Sequence, residues 1–359
     1  MKKISLRNLQ KMIEERYISV QKHPEQDLWI YNYTQNAQFD RLWNNETLSC
    51  RGLIMDAKHN IIARPFKKFF NMEELEGQGV QLPLEDFQVF DKLDGSLGIL
   101  YWVEDTPYLA TRGSFSSDQA IKGTEILHRK IKENKGALQF EKYYTYLFEI
   151  LYPQNRVVVD YGKTEDIVLL TVINTITGTE KSYSDIKTRY EGRLSIVKRY
   201  DGITDYKEFA SHQKENSEGY VIMFKDGLRI KIKFEEYKRL HKLLTGVNAR
   251  TIWEALRAGE SIESMCYRVP DEFYQWIQKA AQLVKSEYRK IEVQGLTDFS
   301  TVEAMNLETR KEKAMEYQKY DHPKMMFLLL DGRDYREYIW KMIKPPADKP
   351  FKPEEAEQL

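Results

Sequence analysis

Only two cysteines, Cys50 and Cys266, occur in the 359 residues. They are too few and too far apart for a disulfide framework or a thiolate metal site, so a reducing compartment fits. The six histidines show no ligand spacing. No stretch approaches the roughly 18 consecutive apolar residues of a membrane span. The basic start Met1-Lys2-Lys3-Ile4-Ser5-Leu6-Arg7-Asn8 has no apolar run behind it, and the expectation is a cytosolic protein with no membrane partner. Charge of one sign is also missing. A formal net charge of +0 attracts no polyanion over long distances, so any nucleic-acid site must be a local basic patch. No internal repeat is found. Against these absences stand 42% hydrophobic and 31% charged residues, a globular composition on a chain long enough for two domains with their own cores.

The first 245 residues read as mixed and strand-rich. Leu6, Leu9, Ile13 and Tyr17 have helical spacing, and Leu28–Tyr33 reads as extended. Leu53–Met55 and Ile61–Ala63 flank a polar turn as a hairpin does, and Phe87–Trp102 reads as strand, loop, strand. Ser117 is placed to cap a helix that Lys135-Gly136 ends. Further strands are expected at Tyr146–Ile150, Val157–Val159, Ile167–Ile173, Tyr220–Phe224 and Arg229–Phe234. After Gly246 the pattern turns helical, most clearly over Asp271–Glu292, where Phe273, Ile277, Ala281, Val284, Tyr288 and Ile291 share a face. This predicts an α+β fold: a domain over 1–245 with antiparallel sheets flanked by helices, an all-helical domain over 246–344, and a loose, proline-rich tail over 345–359.

The most informative feature is Lys92-Leu93-Asp94-Gly95, a lysine on a tight turn between two apolar segments, which reads as a covalent nucleophile. A lysine attacks phosphorus only as the neutral amine, so it needs other cations or burial around it. Arg229-Ile-Lys231-Ile-Lys233 supplies cations: on a strand all three project from one face, an arrangement shared with any amphipathic strand in water. Glu149 ends an aromatic and apolar run and is either a site residue or a salt-bridged edge residue. Glu218-Gly219 opens a strand, where Glu218 suits a hydrated magnesium ion or a plain turn. Arg51-Gly52 precedes a strand, and Lys67-Lys68-Phe69-Phe70-Asn71 sets cations beside two rings able to stack on a base or to pack as core.

In this order the segments resemble the lysine-dependent nucleotidyltransferases, and among them the phage-type single-stranded RNA ligases, the RNA ligase 1 family. The resemblance covers roughly residues 25 to 245 and rests on Tyr31-Asn32-Tyr33, Cys50-Arg51-Gly52, Arg64-Pro65, Lys68-Phe-Phe-Asn71, Lys92–Leu97, Gly113-Ser114, Phe148-Glu149, Pro153–Val157, Glu218-Gly219-Tyr220 and Lys231-Ile-Lys233. A DNA ligase or an RNA capping enzyme shares the lysine, the two acids and the final lysine pair; the Phe-Phe-Asn and Pro-x-Asn-Arg segments favour the RNA ligases.

The resemblance implies an adenylyltransferase domain and an ATP-dependent enzyme with magnesium, or manganese in its place. Its substrate would be single-stranded or broken structured RNA such as tRNA, joined between a 5′-phosphate and a 3′-hydroxyl in RNA repair. It implies a monomer in a bacterial cytosol or phage-infected host. Lys92 would be adenylylated, with Asp94 serving the later steps. Tyr31, Arg51, Lys68, Gly95 and Glu149 would line the ATP site, Phe70 would stack on adenine, Lys231 and Lys233 would hold phosphates and favour the neutral form of Lys92, and Glu218 would bind metal. Arg112 stands where relatives place a lysine, which keeps charge and not geometry. The helical domain, whose helices carry Arg250, Arg257, Lys279, Lys285, Arg289 and Lys290 among aromatic residues, is expected to select the RNA or only to stabilise the first domain. The rivals are DNA-joining, RNA-capping and a non-catalytic RNA-binding repair protein.

Overall fold

The computed structural model describes residues 4–262, 265 and 271–346; Cys266 and the tail from 347 onward lie outside them. The chain divides into two compact units, Met1–Lys238 and Arg239–Leu359. The division falls inside the helix Glu235–Gly246, seven residues before the boundary expected after residue 245.

The first unit is α+β. Its strands are β1 (Ile18–Lys22), β2 (Leu28–Tyr33), β3 (Arg51–Asp56), β4 (Ile61–Ala63), β5 (Phe70–Asn71), β6 (Phe87–Lys92) and β7 (Ser96–Val103). They continue as β8 (Thr106–Ala110), β9 (Tyr144–Leu151), β10 (Asp166–Asn174), β11 (Ser195–Ile196), β12 (Arg199–Tyr200), β13 (Gly219–Phe224) and β14 (Arg229–Lys233). Three sheets form, in the orders β1-β2-β3-β4, β11-β10-β9-β7-β8 and β12-β6-β13-β14-β5. All pairings are antiparallel except β10 with β11 and β14 with β5.

Alternation along β9 explains how the middle sheet is covered. Tyr146, Phe148 and Ile150 point to one side, where they meet Ile126 and Leu127 of the helix Asp118–Glu133. Leu147 points to the other, against Ile30 and Ile54 of the first sheet. Each such fully buried side chain contributes about 1.5–3 kcal/mol. Glu149 lies on the same side as Leu147 but beyond the first sheet's cover, which puts a carboxylate at the mouth of a cleft instead of in the core. Ser117 caps the covering helix by accepting the Ala120 N–H, and the positive φ of Lys135 and Gly136 turns the chain away after its end.

The expected strand at Val157–Val159 does not form. The Val158 and Val159 N–H groups donate to the Asp94 carboxylate, at 2.8 and 2.9 Å, so they are satisfied without a neighbouring strand. The short strands β1 and β8 carry too little alternation to be seen beforehand.

The second unit is helical: Ala249–Ala258, Asp271–Glu303, Arg310–Tyr317, Pro323–Leu330 and Arg336–Met342. Phe273, Ile277, Ala281 and Val284 are buried as their spacing requires, and the helix runs eleven residues past the expected Glu292. Arg250 pairs with Glu254, and Arg257 makes a two-point pair with Glu337. Among the described residues no helix is long and apolar enough to cross a membrane.

Candidate active site

Two sheets of the first unit face each other across a cleft of about 880 Å³. One wall is built from β6, β13 and β14, the other from the start of β7 with β9 and β10. Its lining holds eight cations, Arg51, Lys68, Lys92, Arg112, Lys181, Arg229, Lys231 and Lys233, against the acids Asp91, Glu149 and Glu180. The chain's neutral overall charge therefore conceals a local excess of positive charge.

Lys92 is the last residue of β6, opposite Gly219 of β13. Its Nζ lies 2.5 Å from Oε2 of Glu218, and Lys233 Nζ lies 2.8 Å from Oε1 of the same carboxylate. Glu218 is 2% exposed, so this acid serves two lysines out of contact with water. Gly219 permits the arrangement: its φ is +143°, and a Cβ there would sit 1.9 Å from the Ile232 carbonyl oxygen.

The turn after Lys92 is held from several sides. Asp94 is 6% exposed and does not reach the cleft wall. Besides the Val158 and Val159 N–H groups, it accepts the Tyr237 hydroxyl at 2.7 Å, while its own N–H donates to the Tyr161 hydroxyl at 2.8 Å. Gly95 N–H donates to Glu149 Oε1 at 3.0 Å, and a Cβ on Gly95 would lie 2.5 Å from the Ile150 carbonyl oxygen. Asn155 braces the same place, accepting from Ser96 Oγ and donating to the Ile150 carbonyl.

Arg51, Lys68, Glu149, Gly95, Lys231 and Lys233 all line the cleft with Lys92. Tyr31 does not. Tyr31 shares a face of β2 with Trp29 by ordinary alternation and packs among Leu9, Met12, Ile18, Cys50 and Leu53, while Asn32 and Tyr33 line the cleft; the bulge beside it lies in β3, where Gly52 is the extra residue between Arg51 and Leu53. Phe70 is also set back from the wall. It sits in β5, its ring edge-on to Trp43 with the Lys68 ammonium 4.2 Å above it, and Phe66 and Phe69 take the wall positions. Arg112 stacks on Tyr33 and donates to its hydroxyl at 3.2 Å. Tyr161, Tyr237 and Gln88 were not singled out in the sequence, since Tyr161 and Tyr237 act from loop and helix positions with no pattern; only the every-second-residue step 88, 90, 92 marks Gln88.

Crowding of like charge shows in the protonation of the cleft. Burial, with Lys68, Lys92, Lys233 and Arg51 nearby, lowers Lys231 to about 7. Burial also lowers Lys68 and Arg51. Glu149 moves the other way: desolvation, opposed by Lys92, raises it to about 7. The wall is short of negative charge, and Arg51 Nη1 is buried without a hydrogen-bond partner. These are the marks of a site for a polyanion. Its protonation gives a signed prediction. Above pH 7 Lys231 is neutral, and an anion that needs it charged must draw in a proton, so affinity falls by up to tenfold per pH unit on the alkaline side. Calorimetry with inorganic pyrophosphate at pH 8, in two buffers of different ionisation enthalpy, is expected to show uptake approaching one proton in the wild type and less in Lys231→Arg. Zero uptake in the wild type would refute the assignment.

Among the described residues no group of three or more His, Cys, Asp or Glu side chains is gathered to hold a metal. Glu218, with Glu149 close enough to feel its charge, fits magnesium, which takes one or two carboxylates and completes its shell with water and substrate phosphate.

The family described as RNA ligase matches residues 49–238. This chain belongs to that family. A protein of Thermovibrio ammonificans named "Putative RNA ligase" is 30% identical over 231 residues, covering 62% of this chain and 60% of its own length. A "Putative bifunctional polynucleotide kinase/RNA ligase" of Autographa californica nuclear polyhedrosis virus is 25% identical, over 63% of this chain and 35% of its own. The "RNA ligase" of Rhodothermus phage RM378 is 22% identical over 85% of each chain. The chain thus spans 60% and 35% of the first two relatives. The matched RNA ligase region contains Arg51, Lys92, Glu149, Glu218, Lys231 and Lys233, the whole set gathered at the cleft.

Proposed function

We propose that this RNA ligase family member joins RNA ends with ATP, through an AMP carried on Lys92 and then on the RNA. The observation that carries the reading is a lysine amine inside an anion-seeking cleft, held beside Lys231 and Lys233 and paired with one buried carboxylate. The triphosphate lies along Arg51, Lys68, Lys231 and Lys233, and Glu149 holds the ribose from its fixed place against Gly95 N–H. Arrival of that negative charge replaces Glu218 as the partner of Lys233 and opens the Lys92–Glu218 pair. Lys92, once neutral, attacks the α-phosphorus in line; the N–P bond forms as the bond to pyrophosphate breaks. A 5′-phosphate oxygen of RNA then takes AMP from Lys92, and a 3′-hydroxyl attacks the activated phosphate and expels AMP. Glu218 is the carboxylate that would hold a hydrated magnesium ion. Magnesium, when bound, neutralises phosphate charge as it develops. Asp94 acts from behind the wall, fixing the Lys92 turn through the Val158, Val159 and Tyr237 contacts. The protein is taken to work in the cytosol, as a monomer, with the helical unit contributing to the choice of RNA.

The test is a panel of ends. With ATP and magnesium, 5′-phosphorylated single-stranded RNA bearing a 3′-hydroxyl is expected to be sealed or circularised, while a nicked DNA duplex, and GTP with diphosphate-ended RNA, give little product. Preferential sealing of the DNA nick, or cap formation with GTP, would move the chain's activity to one of the rival chemistries.

A further inference from the structure

Three strands carry the cleft wall in rungs. Lys92 lies across from Gly219 and Lys233, Phe90 from Val221 and Lys231, and Gln88 from Met223 and Arg229. Moving from Lys92 to Gln88 covers four residues, about 13 Å of strand, on the scale of a nucleoside monophosphate measured from its phosphorus to the far edge of its base. Along that path β14 stays cationic through Lys233, Lys231 and Arg229, while β6 and β13 turn apolar through Phe90, Val221 and Met223, with Leu170 of β10 also in the lining. A base belongs at the apolar end and its phosphates at the other.

At that apolar end one polar group stands out. Gln88 lines the cleft, and its Oε1 is buried with no hydrogen-bond partner. Its rung neighbour Arg229 is held differently, 2.5 Å from Glu180 Oε2, which also accepts the Thr171 hydroxyl. An amide oxygen shut away from water is costly to leave unpaired, and here a ligand is the partner that would complete it. We propose that Gln88 reads the nucleobase. Its Oε1 accepts from the 6-amino group of adenine while its Nε2 donates to N7, the two-point pattern by which a glutamine recognises adenine. Guanine would place its O6 acceptor against Oε1, acceptor against acceptor. Gln88 is thus a specificity-determining residue selecting ATP over GTP. This inference rests on the ATP-dependent reading above and deepens it.

The experiment measures kcat/KM for covalent labelling of the protein by α-labelled ATP, GTP and purine riboside triphosphate, which lacks the 6-amino group. Wild type is compared with Gln88→Met, a side chain of similar length without the amide. Wild type is expected to prefer ATP over purine riboside triphosphate by about 10-fold or more, and Gln88→Met to use ATP about 10- to 100-fold less well. The variant should use GTP within about threefold of wild type and treat ATP and purine riboside triphosphate alike. An unchanged ATP/GTP ratio in the variant overturns the inference. So does wild-type indifference to the 6-amino group, a measurement that decides the matter even if the variant does not fold. Failure of wild type to take label from every nucleotide would instead overturn the ATP-dependent reading, and this one with it.

Discussion

Lys92→Ala takes no label from α-labelled ATP, and Lys92→Arg behaves the same, both below about one thousandth of wild type. The reason is chemical: Lys92 carries the amine at the turn end of the Lys92, Phe90, Gln88 face, Lys233 is held on the other oxygen of Glu218, and arginine keeps the charge but cannot become a neutral nucleophile at ordinary pH. Fold is not the cause. Glu218 also pairs with Lys233, at 2.8 Å, a partner neither substitution touches, and arginine restores a cation beside its other oxygen, so thermal melts are expected to stay close to wild type. The last joining step does not use the amine. RNA supplied already carrying a 5′-adenylyl group is therefore sealed by Lys92→Ala while ordinary 5′-phosphorylated RNA is not. Retention of label by Lys92→Ala, or equal failure on pre-adenylylated RNA, would remove Lys92 from its role.

Most of this cleft was legible beforehand because strands advertise their faces. The alternation Arg229, Lys231, Lys233 placed three cations on one side of β14, and the structure puts all three in the cleft wall. The pattern around Glu149 fits a site or an edge residue alike, and it stands on the side of β9 that reaches the cleft. Two aromatic expectations came out differently for local reasons. Tyr31 follows Trp29 onto the core face of β2, and the two-residue strand β5 draws Phe70 back beside Trp43. Contacts made across long sequence distances left no trace in the pattern. Tyr237 meets Asp94 from 143 residues away, and Glu218 reaches Lys92 across 126. A short motif such as Lys-Leu-Asp-Gly announces a turn, but which side chains pin that turn is decided by tertiary packing. The same holds for Val158 and Val159, whose apolar character suggested a strand but whose N–H groups are spent on Asp94.

Glu218→Gln tests whether the buried carboxylate is only a counter-charge or takes part in the chemistry. As a counter-charge alone it only holds Lys92 and Lys233 in place, and its loss would leave labelling as fast as wild type or faster. As the holder of a hydrated metal it is needed when phosphate charge develops, and its loss slows labelling by about 10²- to 10³-fold. The second outcome is expected, because the wall already supplies cations and Glu218 is the carboxylate in contact with Lys92, whereas Asp91 accepts the Tyr200 hydroxyl and Glu180 pairs with Arg229. Stability separates the two effects. Removing a carboxylate that is 2% exposed leaves Lys92, Lys231 and Lys233 facing one another, a loss of about 3 kcal/mol by analogy with broken buried pairs. Pyrophosphate, which returns negative charge to the same lysines, should recover most of the lost melting temperature without restoring labelling. Recovery of both, or full labelling in the destabilised variant, would reduce Glu218 to a structural partner of its two lysines.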